Sequence, residues 1–448
     1  MDIDTNLRFR KMDHVKFSEF LGSLEANNCL FLFEPEILDF TEKKEAIKLH
    51  IHATGGHSYS LEIEKVDDLE IVAQLLTYSL FAKGSRVITW NWKNFASYVL
   101  GKTKKPLVCE CVIIDLKIIE SYLGLKLSMP KTLGEALGRM KKVMSEPNYK
   151  KSSVIYRNIH LPLMTTVLPH LETVGIIDPD FEGQSYAYYE IDGQENGRLL
   201  CHKAYGKGYI PHNLTEEKRA KLKPLSDQFF MYFDFNSMEV FMLAWLSKDP
   251  LLTELCQKND VYFAIYEKII GEQTNLKEAR DKCKKFFLPV IYGMSAHTLA
   301  DRLKIAEANA EAILSRMHEL FPTALAWVQA YQDQVKERGY ADDIFGKRRY
   351  FDGKEYRVRN FSVQSPASIV CLEKLIQLYQ ALVPFTKMAY HVHDGYMVYT
   401  SKDKWKEVYK RAIASLSSES QICTGLKLRV SAKAGKNLNE LKNVIKKE

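Results

Sequence analysis

Two carboxylates, each at the end of a strand-like run, carry the clearest chemistry in the sequence. In Phe229-Phe230-Met231-Tyr232-Phe233-Asp234-Phe235-Asn236-Ser237-Met238-Glu239, an aromatic run delivers Asp234 and then passes into a helical pattern. In Ala389-Tyr390-His391-Val392-His393-Asp394-Gly395-Tyr396-Met397-Val398, apolar residues flank a polar tip, and Asp394-Gly395 is a tight-turn signal. That stretch reads as a hairpin lifting Asp394 to its apex. A carboxylate on a rigid hairpin suits a hard cation such as Mg²⁺. Two strands that each bring one aspartate to a common point can form a two-metal site. A third stretch, residues 275–293, reads as a helix: Asn275 with Glu278 resembles a capping pair, and Arg280, Lys284, Leu288 and Tyr292 recur every four residues. Two cations followed by an apolar residue and a tyrosine on one face can hold a triphosphate and then a base.

The elements around these residues read as an alternating layer followed by helices. Strands are expected at 29–37, 47–53, 58–64 and 86–90, the second and third joined by the Gly55-Gly56 turn. Helices are expected at about 67–81 and 92–100. Val112 to Asp115 reads as a strand and Leu116 to Leu123 as a helix. Helical patterns at 133–145 and 152–174 are separated by Pro147-Asn148 and end at Gly175, a C-cap residue. A strand is expected at 185–191, mostly helices up to about 337, a basic hairpin at 345–350, helices at 362–381 and 402–416, and a last strand at 424–432.

At 448 residues the chain is long enough for two or three domains. Its 46% hydrophobic and 27% charged residues place it with soluble globular proteins. The net charge of +7 allows a nucleic-acid partner without requiring one. Basic clusters occur at Lys102, Lys104, Lys105; Arg139, Lys141, Lys142; Lys150, Lys151; and Lys347, Arg348, Arg349. The eight cysteines are scattered; Cys109 and Cys111 lack zinc-ligand spacing and read as two thiols on one buried strand face. A reducing compartment, a cytoplasmic location and no membrane span are expected, and the acidic start Met1-Asp2-Ile3-Asp4-Thr5 does not resemble a signal peptide.

Taken together, the motifs resemble those of the family-A, DNA polymerase I class of DNA polymerases. Asp234 to Glu239 matches the family's motif A. Arg280, Lys284 and Leu288 to Tyr292-Gly293 match motif B, the fingers helix. His393-Asp394 matches motif C, Gly197-Arg198-Leu199 resembles the segment opening the palm, and Asn360 and Gln364 have the spacing of the family's minor-groove pair. The resemblance runs in order from about 195 to 440. It implies α/β (α+β) architecture, with a ribonuclease-H-like N-terminal domain, a right-hand palm and fingers, and a thumb minimal or missing. The implied divisions are 1–125, a degenerate 3′–5′ exonuclease-like domain; 126–184, a helical connector or thumb remnant; and 185–448, the palm, with fingers at about 246–345.

The resemblance also implies roles. Asp234 and Asp394 would bind two Mg²⁺ ions, with Mn²⁺ as a substitute. Arg280 and Lys284 would hold the dNTP triphosphate, with Lys284 as acid toward pyrophosphate. Leu288 and Tyr292 would face the nascent pair, and Glu239 would act as a steric gate against ribonucleotides. Arg198, Asn360, Gln364 and His393 would contact primer–template DNA. Three departures stand out: Gly395 replaces the glutamate that usually follows His-Asp, Leu288 replaces a bulky aromatic, and Pro289 lies inside the fingers helix. In the N-terminal part, Glu34 and Glu36 lie where the exonuclease domain has Asp-x-Glu. Phe95 lies where it has the aspartate of Asn-x-Lys-x-Asp, and Asp115 is a further acid. No proofreading is expected. A replication accessory or processivity protein is an expected partner, and a compact, trimmed polymerase suits a virus or phage. Two other readings remain: a single-subunit RNA polymerase, against which Glu239 argues, and a non-catalytic DNA-binding scaffold, against which the retained Asp234, Asp394, Arg280 and Lys284 argue.

Overall fold

The computed structural model describes residues 10–11, 14–22, 29–35, 47–53, 58–82, 86–125, 128–180, 184–191, 194–203, 209–271 and 274–444. The chain divides into two compact units: Met1–Phe233, Leu375–Ala412 and Ala432–Glu448 form one, and Asp234–Lys374 with Ile413–Ser431 the other.

In chain order, the first unit begins with β1 (Arg10–Lys11), α1 (His14–Gly22), β2 (Cys29–Pro35), β3 (Ile47–Ala53), β4 (Ser58–Ile63), α2 (Val66–Tyr78), β5 (Arg86–Thr89), α3 (Trp92–Thr103) and β6 (Val112–Asp115). The strands form one sheet in the order β1-β4-β3-β2-β5-β6. Neighbours β2, β3 and β4 run antiparallel, whereas β5 and β6 run parallel to β2. Parallel neighbours need long crossovers, and α2 and α3 lie in them. On β3, Ile47, Leu49 and Ile51 are buried and alternate with Lys48 and His50, the period-2 pattern of a strand with one core face. This is a mixed α/β layer. The Gly55-Gly56 turn and Glu36 lie outside the described residues, as does the side chain of Glu34. Cys109 and Cys111 differ from expectation. They precede β6 in irregular chain, with their Sγ atoms 3.5 Å apart.

Next come α4 (Leu116–Tyr122), α5 (Leu133–Ser145), α6 (Tyr149–Ile155) and α7 (Leu168–Val174). Between α6 and α7 the helical path widens into π turns at Tyr156–His160 and Leu163–Val167. Pro162 lies between them. It has no N–H to donate, and its ring needs room that a wider turn supplies. The path ends at Gly175, with φ +60; a Cβ there would come within 2.8 Å of the Ser185 carbonyl oxygen and the Tyr186 ring. The strand expected at 185–191 is split into β8 (Gln184–Ser185), which pairs with β7 (Ile176–Ile177), and β9 (Ala187–Glu190), which pairs with β10 (Leu200–Lys203). After a six-residue helix, α8 (Glu216–Lys221), the chain enters β11 (Phe229–Phe235). Among the described residues between α7 and β11, no helix is longer than α8.

The second unit is mainly helical: α9 (Met238–Ser247), α10 (Pro250–Leu255), α11 (Val261–Ile269), α12 (Leu276–Ile291), α13 (Ala296–Leu303), α14 (Glu307–Leu320) and α15 (Pro322–Arg338). A hairpin follows, β12 (Tyr340–Asp342) with β13 (Arg348–Tyr350), then the long α16 (Val358–Leu382). Tyr331, Val335, Phe351 and Phe361 form a buried cluster beneath this hairpin.

The chain closes with β14 (Met388–Val392), β15 (Gly395–Thr400), α17 (Trp405–Ser417), β16 (Val430–Gly435) and β17 (Lys442–Asn443). These strands and β11 make a sheet ordered β14-β15-β11-β16-β17. The last long strand starts later than the expected 424–432. Leu426 and Leu428 are buried, but Leu426 donates its N–H to Cys423 and accepts from Ser420, bonds of a turn. No helix among the described residues is long and apolar enough to cross a membrane.

Candidate active site

Asp394 sits at a hairpin tip, one residue displaced from the expected turn. Val392 pairs with Gly395, so the two tip residues are His393 and Asp394, with His393 at φ +54. Gly395 is therefore the first residue of β15 and does not belong to the turn. Its identity has another cause. A Cβ at position 395 would lie 1.9 Å from the Tyr232 hydroxyl oxygen and 2.4 Å from the carbon bearing it. Tyr232, two residues before Asp234 on β11, fills the space that a side chain at 395 would enter. A side chain at 395, a glutamate included, requires the Tyr232 ring to move. Gly395→Ala should cost about 1–3 kcal/mol, the usual penalty for overpacking a closed site. Adding Tyr232→Ala should recover part of that loss. Denaturant unfolding of both variants checks this, and a Gly395→Ala protein as stable as wild type would contradict the clash.

Around the tip lie groups that single-residue motifs do not mark. His212 stacks on His393, with ring centroids 4.8 Å apart and planes 6° off parallel. Burial lowers the His212 pKa to about 4, helped by His393 and Arg198. Burial also lowers His391 to about 3; its Nδ1 lies 3.1 Å from the Gly395 carbonyl oxygen. Both rings are therefore neutral at physiological pH. Burial raises the Asp394 carboxyl above its ordinary range, while the nearby Arg198 and His393 oppose that shift. Arg198 thus lies within electrostatic reach of the hairpin tip, and its own N–H donates to Asn196 Oδ1 at 3.2 Å. The hairpin is anchored from behind: the His391 N–H donates to the Tyr189 hydroxyl at 3.0 Å, and the Tyr399 hydroxyl donates to the Gly175 carbonyl at 2.7 Å.

In the second unit, α12 is capped as expected: the Asn275 side chain accepts from the Glu278 N–H at 3.0 Å. The helix buries Ala279, Cys283, Phe286, Phe287, Val290 and Ile291. Arg280, Lys284, Leu288 and Tyr292 remain on its partly open side. The helix continues through Pro289, whose missing N–H falls in the last turn. Tyr292 follows that turn, and its hydroxyl donates to Glu239 Oε2 at 2.9 Å. The Gln364 amide donates to the same carboxylate at 3.3 Å. Tyr292, at the end of α12, and Gln364, on α16, thus converge on the Glu239 carboxylate of α9. Asn360 lies one turn before Gln364 on α16 and is half-buried.

Three partners in this unit escaped the sequence reading. Asp260 caps α11 by accepting from the Tyr262 and Phe263 N–H groups, and its other oxygen holds Arg280 Nη1 at 3.0 Å. The Arg280 guanidinium is therefore ion-paired before any triphosphate arrives, and the Asp-x-Tyr pattern of a helix cap was the signal available for it. Tyr262 faces Lys284, whose Nζ is 5.8 Å from the ring centroid. Arg359 closes over Gly293, where φ is +98 and a Cβ would meet its Nη1 at 2.7 Å. Arg359 also donates to the side-chain oxygens of Gln332 and Gln329 at 2.9 and 2.7 Å.

Several basic residues are committed to structure. Arg139 donates both Nε and Nη2 to buried Glu120. Lys347 is 3% exposed, and Arg348 pairs with Asp342 at 2.8 Å. In the N-terminal layer, Phe95 is fully buried. Lys93 is buried against Glu172 at 2.5 Å, and Glu172 also accepts from the Tyr189 N–H at 2.9 Å. Asp115 accepts from the N–H groups of Asn91, Trp92, Lys117 and Ile118, so it caps α4 and fixes the start of α3. Burial pushes its carboxyl up to about 6. Among the described residues, no group of three or more His, Cys, Asp or Glu side chains could hold a metal.

Comparison with known proteins gives consistent results. The sequence profile of DNA polymerase family A matches residues 130–440. Thermostable DNA polymerase I of Thermus aquaticus is 28% identical over 194 residues, 40% of this chain and 23% of that protein. DNA polymerase theta of Drosophila melanogaster is 24% identical over 386 residues, 74% of this chain and 18% of that protein. DNA polymerase I of Streptococcus pneumoniae is 24% identical over 266 residues, 55% of this chain and 30% of that protein. The chain thus spans less than a third of the length of these relatives. Among solved structures, the POL domain of Pol1 from M. smegmatis, in complex with DNA primer-template and dNTP, superposes with a TM-score of 0.67. That match covers 96% of this chain and 99% of the other, at 15% identity, a likeness of fold.

Proposed function

The chain belongs to DNA polymerase family A, and from that premise we propose that it is a template-directed DNA polymerase adding dNTPs to a primer 3′ end. The observation that carries the reading is the convergence of Tyr292 and Gln364 on Glu239, because it ties the end of the fingers helix to the carboxylate that follows motif A. Asp234 and Asp394 would hold two Mg²⁺ ions, or Mn²⁺ in their place. Two carboxylates suffice in principle, since Mg²⁺ commonly takes one or two from protein and completes its shell with substrate phosphates and water. The ions, when bound, supply activation of the 3′-hydroxyl and neutralise charge on the departing pyrophosphate. Arg280 exchanges Asp260 for the triphosphate, and Lys284 holds the phosphates and provides a proton to pyrophosphate. Leu288 and Tyr292 face the nascent pair, and Glu239 lies under the sugar. Arg198, Asn360, Gln364 and His393 contact primer–template. Extension of a labelled primer with Mg²⁺ and dNTPs tests the reading.

The proposed domains are 1–125, exonuclease-like and degenerate; 126–184, connector; and 185–448, palm with fingers at about 246–345. We expect no measurable 3′–5′ exonuclease activity, because Phe95 cannot bind a metal, Lys93 is held by Glu172, and Asp115 is used as a cap. Metal-dependent shortening of a single-stranded primer, lost in a Glu34→Ala/Glu36→Ala variant, would contradict this. The short path from α7 to β9 removes duplex grip, so the chain alone should be distributive, with a replication accessory or processivity protein as partner. A heparin trap at moderate salt checks product length per binding event; long products from the chain alone would contradict it. A compact polymerase of this kind suits a virus or phage acting in host cytoplasm.

A further inference from the structure

Cys109 and Cys111 lie in the irregular chain from Pro106 to Cys111 that leads into β6, the edge strand of the N-terminal sheet. Exposure alternates along that chain: Leu107 and Cys111 are buried, Cys109 is half-buried, and Val108, Glu110 and Val112 are exposed. The two thiols therefore share one side of an extended segment, and their Sγ atoms are 3.5 Å apart. The backbone around them is pinned. The Thr77 hydroxyl donates to the Val108 carbonyl at 3.3 Å, and the Glu110 N–H donates to the Phe81 carbonyl at 2.8 Å. These anchors keep the sulfurs in contact without a bond between them. Among the described cysteines, Cys201, Cys256, Cys283, Cys371 and Cys423 are all buried like Cys111, and Cys109 alone is not. The Cys111 thiol holds the Cys109 pKa below its ordinary value, against the effect of burial. Burial pushes Cys256 and Cys423 up to about 12 and also raises Cys201 and Cys283.

We propose that Cys109 and Cys111 form a peroxide-reactive dithiol, with Cys109 as the attacking sulfur and Cys111 as the resolving one. Oxidation selects a thiol that is accessible, readily ionised and next to a second thiol, and this pair meets all three conditions. The Cys109 thiolate attacks hydrogen peroxide: an S–O bond forms, the O–O bond breaks, and the departing hydroxide takes up a proton and leaves as water. Cys111 then attacks the sulfur of the resulting sulfenic acid. The S–S bond forms, the S–O bond breaks, and the hydroxyl leaves as a second water with the Cys111 proton. Overall, two thiols give up two electrons and two protons, and one peroxide becomes two waters. The half-exposed sulfur is the one a small oxidant reaches, and the buried sulfur needs to reach only its neighbour. Excess thiol reverses the step by exchange. Where glutathione keeps thiols reduced, such a pair rests as the dithiol and oxidises transiently. The ring closed is very short, so it constrains little of the unfolded chain and oxidation should leave global stability nearly unchanged.

The test exposes the reduced full chain to hydrogen peroxide at neutral pH, blocks remaining thiols with N-ethylmaleimide at timed intervals, and maps the peptides by mass spectrometry. In wild type, Cys109 and Cys111 should escape alkylation together, at least about tenfold faster than Cys201, Cys256, Cys283 or Cys423. Their common peptide should lose two hydrogen atoms and regain them with dithiothreitol. In Cys111→Ser the reaction should stop at a Cys109 sulfenic acid, trapped by dimedone. In Cys109→Ser, Cys111 should stay open to alkylation throughout. Oxidation of the pair no faster than that of the buried cysteines would overturn the proposal. So would a wild-type Cys109 that passes to sulfinic acid while Cys111 remains a thiol, or dimedone capture at Cys111 in place of Cys109. The wild-type map decides the pairing and the rate even if a variant fails to fold. Every readout is a mass and none is an activity, so the outcome is independent of the polymerase reading.

Discussion

Asp234→Asn and Asp394→Asn are each expected to lower nucleotide incorporation by about a thousandfold or more, equivalent to about 4 kcal/mol of transition-state stabilisation, with DNA binding retained. Asparagine keeps the volume and hydrogen-bonding capacity of each side chain and removes the negative charge that a hard cation requires. With Gly395 after Asp394, no third carboxylate stands in the motif to compensate, and the Tyr232 hydroxyl fills that space. Because the burial that raises Asp394 penalises its charged form, Asp394→Asn should leave stability unchanged or slightly improved. Single-turnover incorporation with saturating dNTP, alongside DNA binding by anisotropy, measures both parts. Near-normal turnover by either variant would remove that aspartate from the metal-binding role.

Glu239→Ala is expected to raise ribonucleotide relative to deoxyribonucleotide use by about tenfold to a hundredfold. The Glu239 carboxylate is fixed from two directions, by Tyr292 and Gln364, and so presents a rigid wall. A 2′-hydroxyl entering that place has to displace one of those donors and leave a buried polar group unpaired, a penalty of about 1–3 kcal/mol. The variant removes the wall and the penalty together. Tyr292→Phe is the control: it deletes one donor but keeps the carboxylate, and its selectivity change should be smaller. The readout is the ratio of kcat/KM for dCTP and CTP opposite template dG. An unchanged ratio in Glu239→Ala would place the sugar gate elsewhere.

Much of this arrangement was legible in the sequence because it depends on local pattern. The four-residue recurrence of Arg280, Lys284, Leu288 and Tyr292 describes one side of a helix, and the Asn275 cap that starts it is a short-range device. The alternation on β3 likewise declares its buried face. What the sequence did not disclose is governed by contacts distant along the chain. Asp-Gly, a strong turn dipeptide, puts the expected turn one residue later than the observed one, whereas Gly395 answers the approach of Tyr232 from another strand. Arg280 looked like a free cation, but its partner Asp260 lies in the preceding helix cap. Arg139 stands in a basic cluster of the sequence, yet its guanidinium is bound through two nitrogens by Glu120, nineteen residues earlier. Charge runs declare sign and spacing along the chain, not which neighbours neutralise them.

The central claim is that this chain copies a DNA template with deoxyribonucleotides, and extension of a 5′-labelled primer on a defined template tests it most directly. Parallel reactions contain Mg²⁺ with dNTPs, Mg²⁺ with rNTPs, and chelator with dNTPs. The account predicts template-matched extension in the first, little in the second and none in the third. Equal or preferred extension with rNTPs would favour a ribonucleotide polymerase, and no extension by a folded chain that binds primer–template would contradict catalysis and leave a DNA-binding scaffold.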